Sequence, residues 1–173
     1  MKKQDTLENP VKLVYLAIGS NLGNKIRNIE LAKVELEKCK IKILKSSSNY
    51  MSESWPDHTK PNYINIVIKA KTSLMPTELL RICNQIESKL GRVRKKINAP
   101  RTCDIDIIDY NKIVLNEKKT QLILPHPRMI IRNFVLLPLF EIEKCWKHPK
   151  SKINIVNLIN SLPVKDLRSI KQI

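Results

Sequence analysis

The apolar positions of this chain switch between two periods, and the switches mark its elements. Leu13-Val14-Tyr15-Leu16-Ala17-Ile18 is a continuous apolar run stopped by Gly19-Ser20-Asn21, the pattern of a buried strand. From about Asn24 the period lengthens, placing Ile29, Ala32, Leu36 and Cys39 on one helical face. Ile41 to Asn49 reads as a second strand, and a polar, proline-containing loop follows from about Met51 to Asn62. Tyr63 to Lys71 alternates, with Ile64, Ile66, Ile68 and Ala70 on one face and Tyr63, Asn65, Val67 and Lys69 on the other. Pro76 suits the first turn of a helix whose Leu79, Cys83, Ile86 and Leu90 form a core stripe, closed by Gly91. A strand then carries Asp104 to Ile108, and a hairpin through Asn111 is expected to lead into another strand near Ile113 to Leu115. After Pro125-His126-Pro127 the chain turns helical towards Glu143, with a break or bend expected near Pro138. A short helix covers Ile155 to Asn160.

The order strand–helix–strand–strand–helix–strand predicts an α+β ferredoxin-like sandwich, a mainly antiparallel sheet with helices packed against it. The 173 residues suit one domain spanning 1–173. No apolar run is long enough for a bilayer, and no signal-like segment follows Met1-Lys2-Lys3. Four widely spaced cysteines (Cys39, Cys83, Cys103, Cys145) form no C-x-x-C pair, which predicts reduced thiols in a cytoplasmic protein and argues against a zinc site. The formal charge of +16 attracts anions without naming one. The three glycines (Gly19, Gly23, Gly91) complete neither a dinucleotide fingerprint nor a P-loop.

Candidate chemistry concentrates in Pro100-Arg101-Thr102-Cys103-Asp104-Ile105-Asp106. Alternation along a strand turns Asp104 and Asp106 to the same face, with Cα atoms about 6.5 Å apart. Carboxylates in an apolar strand need their charge compensated. Either they straddle a pair of magnesium ions, or they sit on an exposed face neutralised by lysines. The loop just upstream carries Arg92, Arg94, Lys95 and Lys96, with Arg101 at its end, and such groups grip phosphate oxygens. Carboxylates for a metal beside guanidiniums for phosphates suit metal–polyphosphate chemistry.

Other polar residues are less telling alone. Tyr63 and Asn65 offer an aromatic surface and an amide on one strand face, a combination suited to a flat heterocycle, though taken alone they read as a surface tyrosine with an ordinary strand asparagine. His126, held between two prolines, is either aimed at an anion or a turn histidine. Arg132 and Phe134 form a second cation-plus-aromatic pair, and Glu87 is either a solvated helix residue or a member of a polar network.

Several motifs then occur in order: Ala17-Ile18-Gly19-Ser20-Asn21-Leu22-Gly23, Tyr63-Ile64-Asn65, Glu87 with Gly91-Arg92-Val93-Arg94, Pro100-Arg101-Thr102 with Asp104-Ile105-Asp106, Leu124-Pro125-His126-Pro127-Arg128, and Arg132-Asn133-Phe134. Together they resemble the 6-hydroxymethyl-7,8-dihydropterin pyrophosphokinases of folate biosynthesis, from about Tyr15 to Ile142. The resemblance implies transfer of the β,γ-diphosphoryl group of ATP to the pterin hydroxymethyl, with release of AMP. It implies two Mg2+ ions on Asp104 and Asp106, and ATP contacts from Glu87, Arg92, Arg94, Arg101, His126 and Arg132. Arg92, Arg101 and Asp106 would be the catalytic residues. The pterin ring would lie between Tyr63 and Phe134, with Asn65 on its edge, and backbone groups around Ile107 and Leu122 to Leu124 would hold the adenine. The partners implied are the two substrates, with neither nucleic acid nor membrane, and the chain is expected to act as a monomer.

Two segments depart from the family. Asn98-Ala99 stand where an aromatic residue and a glycine often precede the Pro-Arg pair. Ser52-Glu53-Ser54-Trp55-Pro56 replaces the Thr-Pro-Leu-Gly-like run that often lines the pterin pocket. Both loops are expected to be mobile lids over bound substrates. A nucleic-acid module of the same element order is the competing class, and it lacks the expected run of stacking aromatics.

Overall fold

The computed structural model describes residues 10–54, 59–92 and 99–173. Strand β1 (Lys12–Ser20) leads to helix α1 (Lys25–Lys38), short strands β2 (Lys42–Ser46) and β3 (Tyr50–Ser52), the long β4 (Tyr63–Thr72), helix α2 (Pro76–Lys89) and β5 (Asp104–Tyr110). All pairings among these strands are antiparallel. The order runs β5-β1-β4-β3, with β2 also paired to β4. Taking β2 and β3 as one interrupted strand, this is the expected ferredoxin-like order. The strand expected over Ile41 to Asn49 ends at Ser46, and after an interruption at 47–49 pairing resumes as β3, which takes in Met51 and Ser52 from the expected loop. At the interruption Glu141 draws the chain towards its carboxylate, accepting from the Ser48 N–H at 3.0 Å and the Ser48 hydroxyl at 2.8 Å.

Helix boundaries follow local chemistry. The Asn24 side chain accepts from the Arg27 N–H to start α1. Pro76 and the Glu78 carboxylate, which accepts from the Met75 N–H at 2.9 Å, start α2. Gly91 ends that helix at φ +83°, a conformation that costs other residues a Cβ clash.

One face of the sheet packs on α1 and α2. There Leu16, Ile18, Ile66 and Ile68 meet Ile29, Leu36, Leu79 and Ile86. The opposite face is covered by α3 (Asn133–Ile142), α4 (Ile155–Asn160) and the segment between them, which bring Leu136, Leu139, Leu158 and Trp146 against Tyr15, Val67 and Ile108. The β4 alternation is therefore apolar on one side and only partly polar on the other. A bulge in β5 serves this second core. Tyr15 faces Asp109 while Leu16 faces Ile107, so Ile108 is an extra residue in the ladder. Ile108 packs into the second core, and buried Asp109 accepts from the Trp146 indole N–H at 2.9 Å. All four cysteines are free thiols, and among the described residues no helix is long and apolar enough to cross a membrane.

Three expectations need correction. The chain does turn at Asn111 and Lys112, both at positive φ, but the next strand does not fold back on β5. Instead β6 (Leu115–Glu117) pairs with β7 (Leu122–Leu124) as a separate two-stranded sheet. The segment after Pro127 breaks at Arg132, whose extended backbone separates a 3-10 turn (Met129–Ile131) from α3, and not at Pro138, which lies inside α3. Burial of Val135, Leu136, Leu139 and Ile142 offsets the hydrogen bond that Pro138 omits. Finally, α5 (Val164–Arg168) and the two-residue strand β8 (Lys171–Gln172) were not expected. β8 extends the sheet beyond β3.

Candidate active site

Strand register assembles the site. Gly19 on β1 faces Asn65 on β4 and Asp104 on β5, while Ala17 faces Asp106. Tyr63, Asn65, Asp104 and Asp106 thus line the same end of the second sheet face, on either side of a strand that has no side chain at Gly19. That gap is required: a Cβ on Gly19 would stand 2.9 Å from the Asn65 Oδ1 and 3.6 Å from the Tyr63 ring. Asn65 is buried, and its Nδ2 donates to the Ser52 Oγ at 2.9 Å. Gly19→Ala is expected to displace this amide at an overpacking cost of about 1–2 kcal/mol, raising the KM of a ligand read by Asn65 about tenfold. Steady-state kinetics beside a thermal melt separate that effect from misfolding.

The charges form two adjoining groups. Arg92 pairs with the carboxylates of both Asp104 and Glu87, and Arg101 Nη1 donates to the second Asp104 oxygen at 3.0 Å. Glu87 is 2% exposed, so it is a network carboxylate beneath Arg92; it also accepts from the Ile105 N–H at 2.8 Å. Burial alone would lower the Arg92 pKa, but Asp104 and Glu87 outweigh it and hold the guanidinium firmly charged. In the second group, Arg132 Nη1 donates to the Asp106 Oδ2 at 2.9 Å, and His126 Nε2 lies 3.6 Å from the same oxygen. The extended backbone at Arg132 is what turns this guanidinium back over β5. The same guanidinium stands 5.5 Å over the Phe134 ring.

His126 follows the cis Leu124-Pro125 bond, and its N–H bonds the Ile108 carbonyl at 2.9 Å. Its Nδ1 accepts from the Arg128 N–H at 3.2 Å, so the neutral ring carries its proton on Nε2, facing Asp106. Burial lowers its pKa, Asp106 opposes the shift, and Arg132 and Arg128 add to it. The folded state therefore binds fewer protons than the unfolded chain as pH falls below about 6.5. This group's contribution to stability is complete above that value and is lost on acidification through the lower folded-state pKa. Urea unfolding of the ligand-free protein between about pH 7.5 and about pH 5 should therefore show a shallower loss of stability in His126→Gln than in the parent.

Ile107 points into the first core, leaving only its backbone available to a ligand. Arg94, Trp55 and Asn98 lie outside the described residues, as do the central parts of both expected lids. Asn21, quoted in the sequence only as part of a motif, proves structural to the site. Buried at 1% exposure, it accepts from the Arg101 N–H at 2.7 Å through its side chain, donates its own N–H to the Arg101 carbonyl at 3.1 Å, and donates Nδ2 to the Pro61 carbonyl at 3.2 Å. It therefore ties the end of β1 to the arginine loop and to the approach to Tyr63.

Among the described residues no cluster of three or more His, Cys, Asp or Glu could hold a metal. The candidate set is the Asp104 and Asp106 pair, four hard oxygens that already attract cationic partners on the same side of the sheet. Such a set fits a hard divalent cation whose remaining ligands come from phosphate and water, the usual manner for magnesium.

The sequence model of the 7,8-dihydro-6-hydroxymethylpterin-pyrophosphokinase family matches residues 15–144, which holds every one of these side chains. The chain belongs to this family. Its relatives include the 2-amino-4-hydroxy-6-hydroxymethyldihydropteridine pyrophosphokinase of Aquifex aeolicus, 41% identical over 136 residues that make up 79% of this chain and 83% of the relative. The folic acid synthesis protein fol1 of Pneumocystis carinii is 35% identical over 98% of this chain, but that match takes up 22% of the longer protein. Like it, the Dictyostelium discoideum protein FOL1 is matched over 22% of its length, so the chain spans about a fifth of these longer relatives. The fold is shared with the Plasmodium falciparum HPPK-DHPS crystallised with pterin and p-hydroxybenzoate, at a TM-score of 0.72 and 15% identity, over 96% of this chain and 48% of that one. The pyrophosphokinase family match ends before α4, α5 and β8.

Proposed function

We propose that this chain transfers the β,γ-diphosphoryl group of ATP to the hydroxymethyl oxygen of 6-hydroxymethyl-7,8-dihydropterin, giving the pterin diphosphate and AMP in folate biosynthesis. The observation that carries the proposal is the convergence, at one open end of the sheet, of two strand carboxylates, three guanidiniums and an aromatic-plus-amide pair.

Among the described residues, three guanidiniums (Arg92, Arg101, Arg132) stand against three carboxylates (Glu87, Asp104, Asp106), so these charges neutralise one another before substrate arrives. On binding, Arg92, Arg101 and Arg132 exchange aspartate oxygens for phosphate oxygens, and Asp104 and Asp106, so released, would be the residues that hold magnesium. Every charge stays paired through the exchange. Glu87 keeps its hold on Arg92 from below and acts as a positioning residue. His126, neutral, offers its Nε2–H to a phosphate oxygen, and Arg94 adds a further phosphate contact. Backbone groups of Ile107 and of β7 hold the adenine. Tyr63 and Phe134 take the two faces of the pterin, and Asn65 reads its edge with the hydrogen-bonding capacity left after its bond to Ser52.

The pterin hydroxyl oxygen bonds to the β-phosphorus as the bond from that phosphorus to the α,β-bridging oxygen breaks; AMP departs carrying that oxygen, and the hydroxyl proton passes to solvent water. Magnesium supplies charge neutralisation for the triphosphate and a lower pKa for the attacking hydroxyl. The residues supply alignment and fixed positive charge, with no covalent nucleophile and no phosphoenzyme. Incubation with ATP, magnesium and the pterin tests this reading. Pterin-dependent AMP formation that a chelator abolishes supports it; ATP consumption indifferent to the pterin contradicts it.

A further inference from the structure

The C-terminal segment touches both walls of the pocket assigned to the pterin, and the mechanism makes no use of it. At one end, the Asn133 side chain donates Nδ2 to the Asp166 carbonyl and, at 3.2 Å, to the Ser169 Oγ. Asn133 lies between Arg132 and Phe134, so this bond fixes the start of α3 where both residues project. At the other end, β8 pairs with β3, Gln172 facing Tyr50 and Lys171 facing Met51. The Ile173 N–H donates to the Asn49 carbonyl at 2.9 Å, and Gln172 Nε2 donates to the Ser48 Oγ at 2.9 Å. Between the two ends Ile170 is buried.

β3 has three residues, and its Ser52 holds Asn65. A strand so short at a sheet edge opens at little cost unless its outer side is occupied. Opening would release Ser52, and with it the orientation of the Asn65 amide. None of these bonds reaches Arg92, Arg101, Asp104, Asp106 or His126; among the phosphate contacts, Arg132 alone of the described residues adjoins a residue that they hold, Asn133.

We propose that residues 164–173 form a strap that sets affinity for the pterin more than for ATP, by fixing β3 on one side of the pocket and Asn133 on the other. Ser169 and the backbone of Lys171 are its positioning residues. The inference rests on the pterin reading given above.

The test is Lys171→Pro in the full chain. Since Ile173 and Asn49 form a hydrogen-bonded pair, Lys171 and Met51 form the next one, and proline removes its N–H donor. Initial rates are measured with 6-hydroxymethyl-7,8-dihydropterin varied at saturating magnesium–ATP, and the reverse. The expected result is a pterin KM about tenfold higher with the ATP KM within about twofold of the parent, while Lys171→Ala, which retains the N–H, matches the parent. Ser169→Ala should raise the pterin KM about threefold and the ATP KM by less, and decides the matter if the proline variant fails to fold. An unchanged pterin KM, or equal rises in both constants, overturns the strap while the parent still turns over pterin. A parent without pterin-dependent turnover overturns the pterin reading, and the strap with it.

Discussion

Asp106→Asn should lower pterin-dependent AMP formation by about 10³-fold or more while the protein stays folded. Asparagine keeps the shape of the side chain but gives up the charge on which two assignments depend. Asp106 accepts from Arg132 at 2.9 Å and faces the His126 Nε2, and it is one of the two oxygen donors proposed for magnesium. An amide nitrogen is no ligand for a hard cation, and a neutral side chain leaves Arg132 without its counter-charge. The loss should appear in kcat and in the magnesium dependence together. Because the Asp106 side chain is partly exposed, at 35%, stability should change little, so a melt near the parent's is part of the expected result. Near-parental turnover at saturating magnesium would remove Asp106 from both roles.

Arg92→Ala should be costly twice over. Its guanidinium is proposed to hold phosphate charge in turnover, which mutational precedent for such donors places at about 10²-fold in kcat. It also pairs with Glu87, a carboxylate 2% exposed beneath the site. Breaking a buried pair typically costs about 3 kcal/mol, because the remaining charge loses compensation in a medium that solvates it poorly. Denaturant unfolding should therefore show a larger midpoint shift in Arg92→Ala than in Arg101→Ala, whose guanidinium pairs with the more exposed Asp104. The double variant Arg92→Ala with Glu87→Gln should recover much of the stability and none of the activity. If Arg92→Ala and Arg101→Ala shift stability equally, Glu87 does not depend on Arg92.

The sequence exposed the parts of this site that follow one strand or one helix at a time. Asp104 and Asp106 stood out because carboxylates at period two in an apolar strand demand compensation, and register brought the compensating arginines to them. Asn24, Pro76 and Gly91 marked helix ends because each meets a local backbone need. What escaped notice depends on neighbours remote in sequence. Gly19 at the end of a strand reads as a turn residue; its real constraint is Asn65 across the ladder, 46 positions away (65 − 19). Glu87, one turn before a helix stop and among charged residues, looks solvated until β5 covers it. The β5 bulge leaves no mark in the sequence, since Ile107, Ile108 and Asp109 give no hint that two of them turn to one face. β8 is too short for any periodicity, and Arg132 breaks its helical segment for a tertiary reason, the pairing with Asp106, where Pro138 offered the obvious local one.

The central claim concerns which bond of ATP breaks, and ATP labelled at the β-phosphorus answers it directly. After incubation with magnesium and 6-hydroxymethyl-7,8-dihydropterin, the products are separated and the label located. The account predicts label in the pterin product, with unlabelled AMP formed one for one. Label retained in ADP, with a singly phosphorylated pterin, would mean transfer of the γ-phosphoryl group alone and would contradict it.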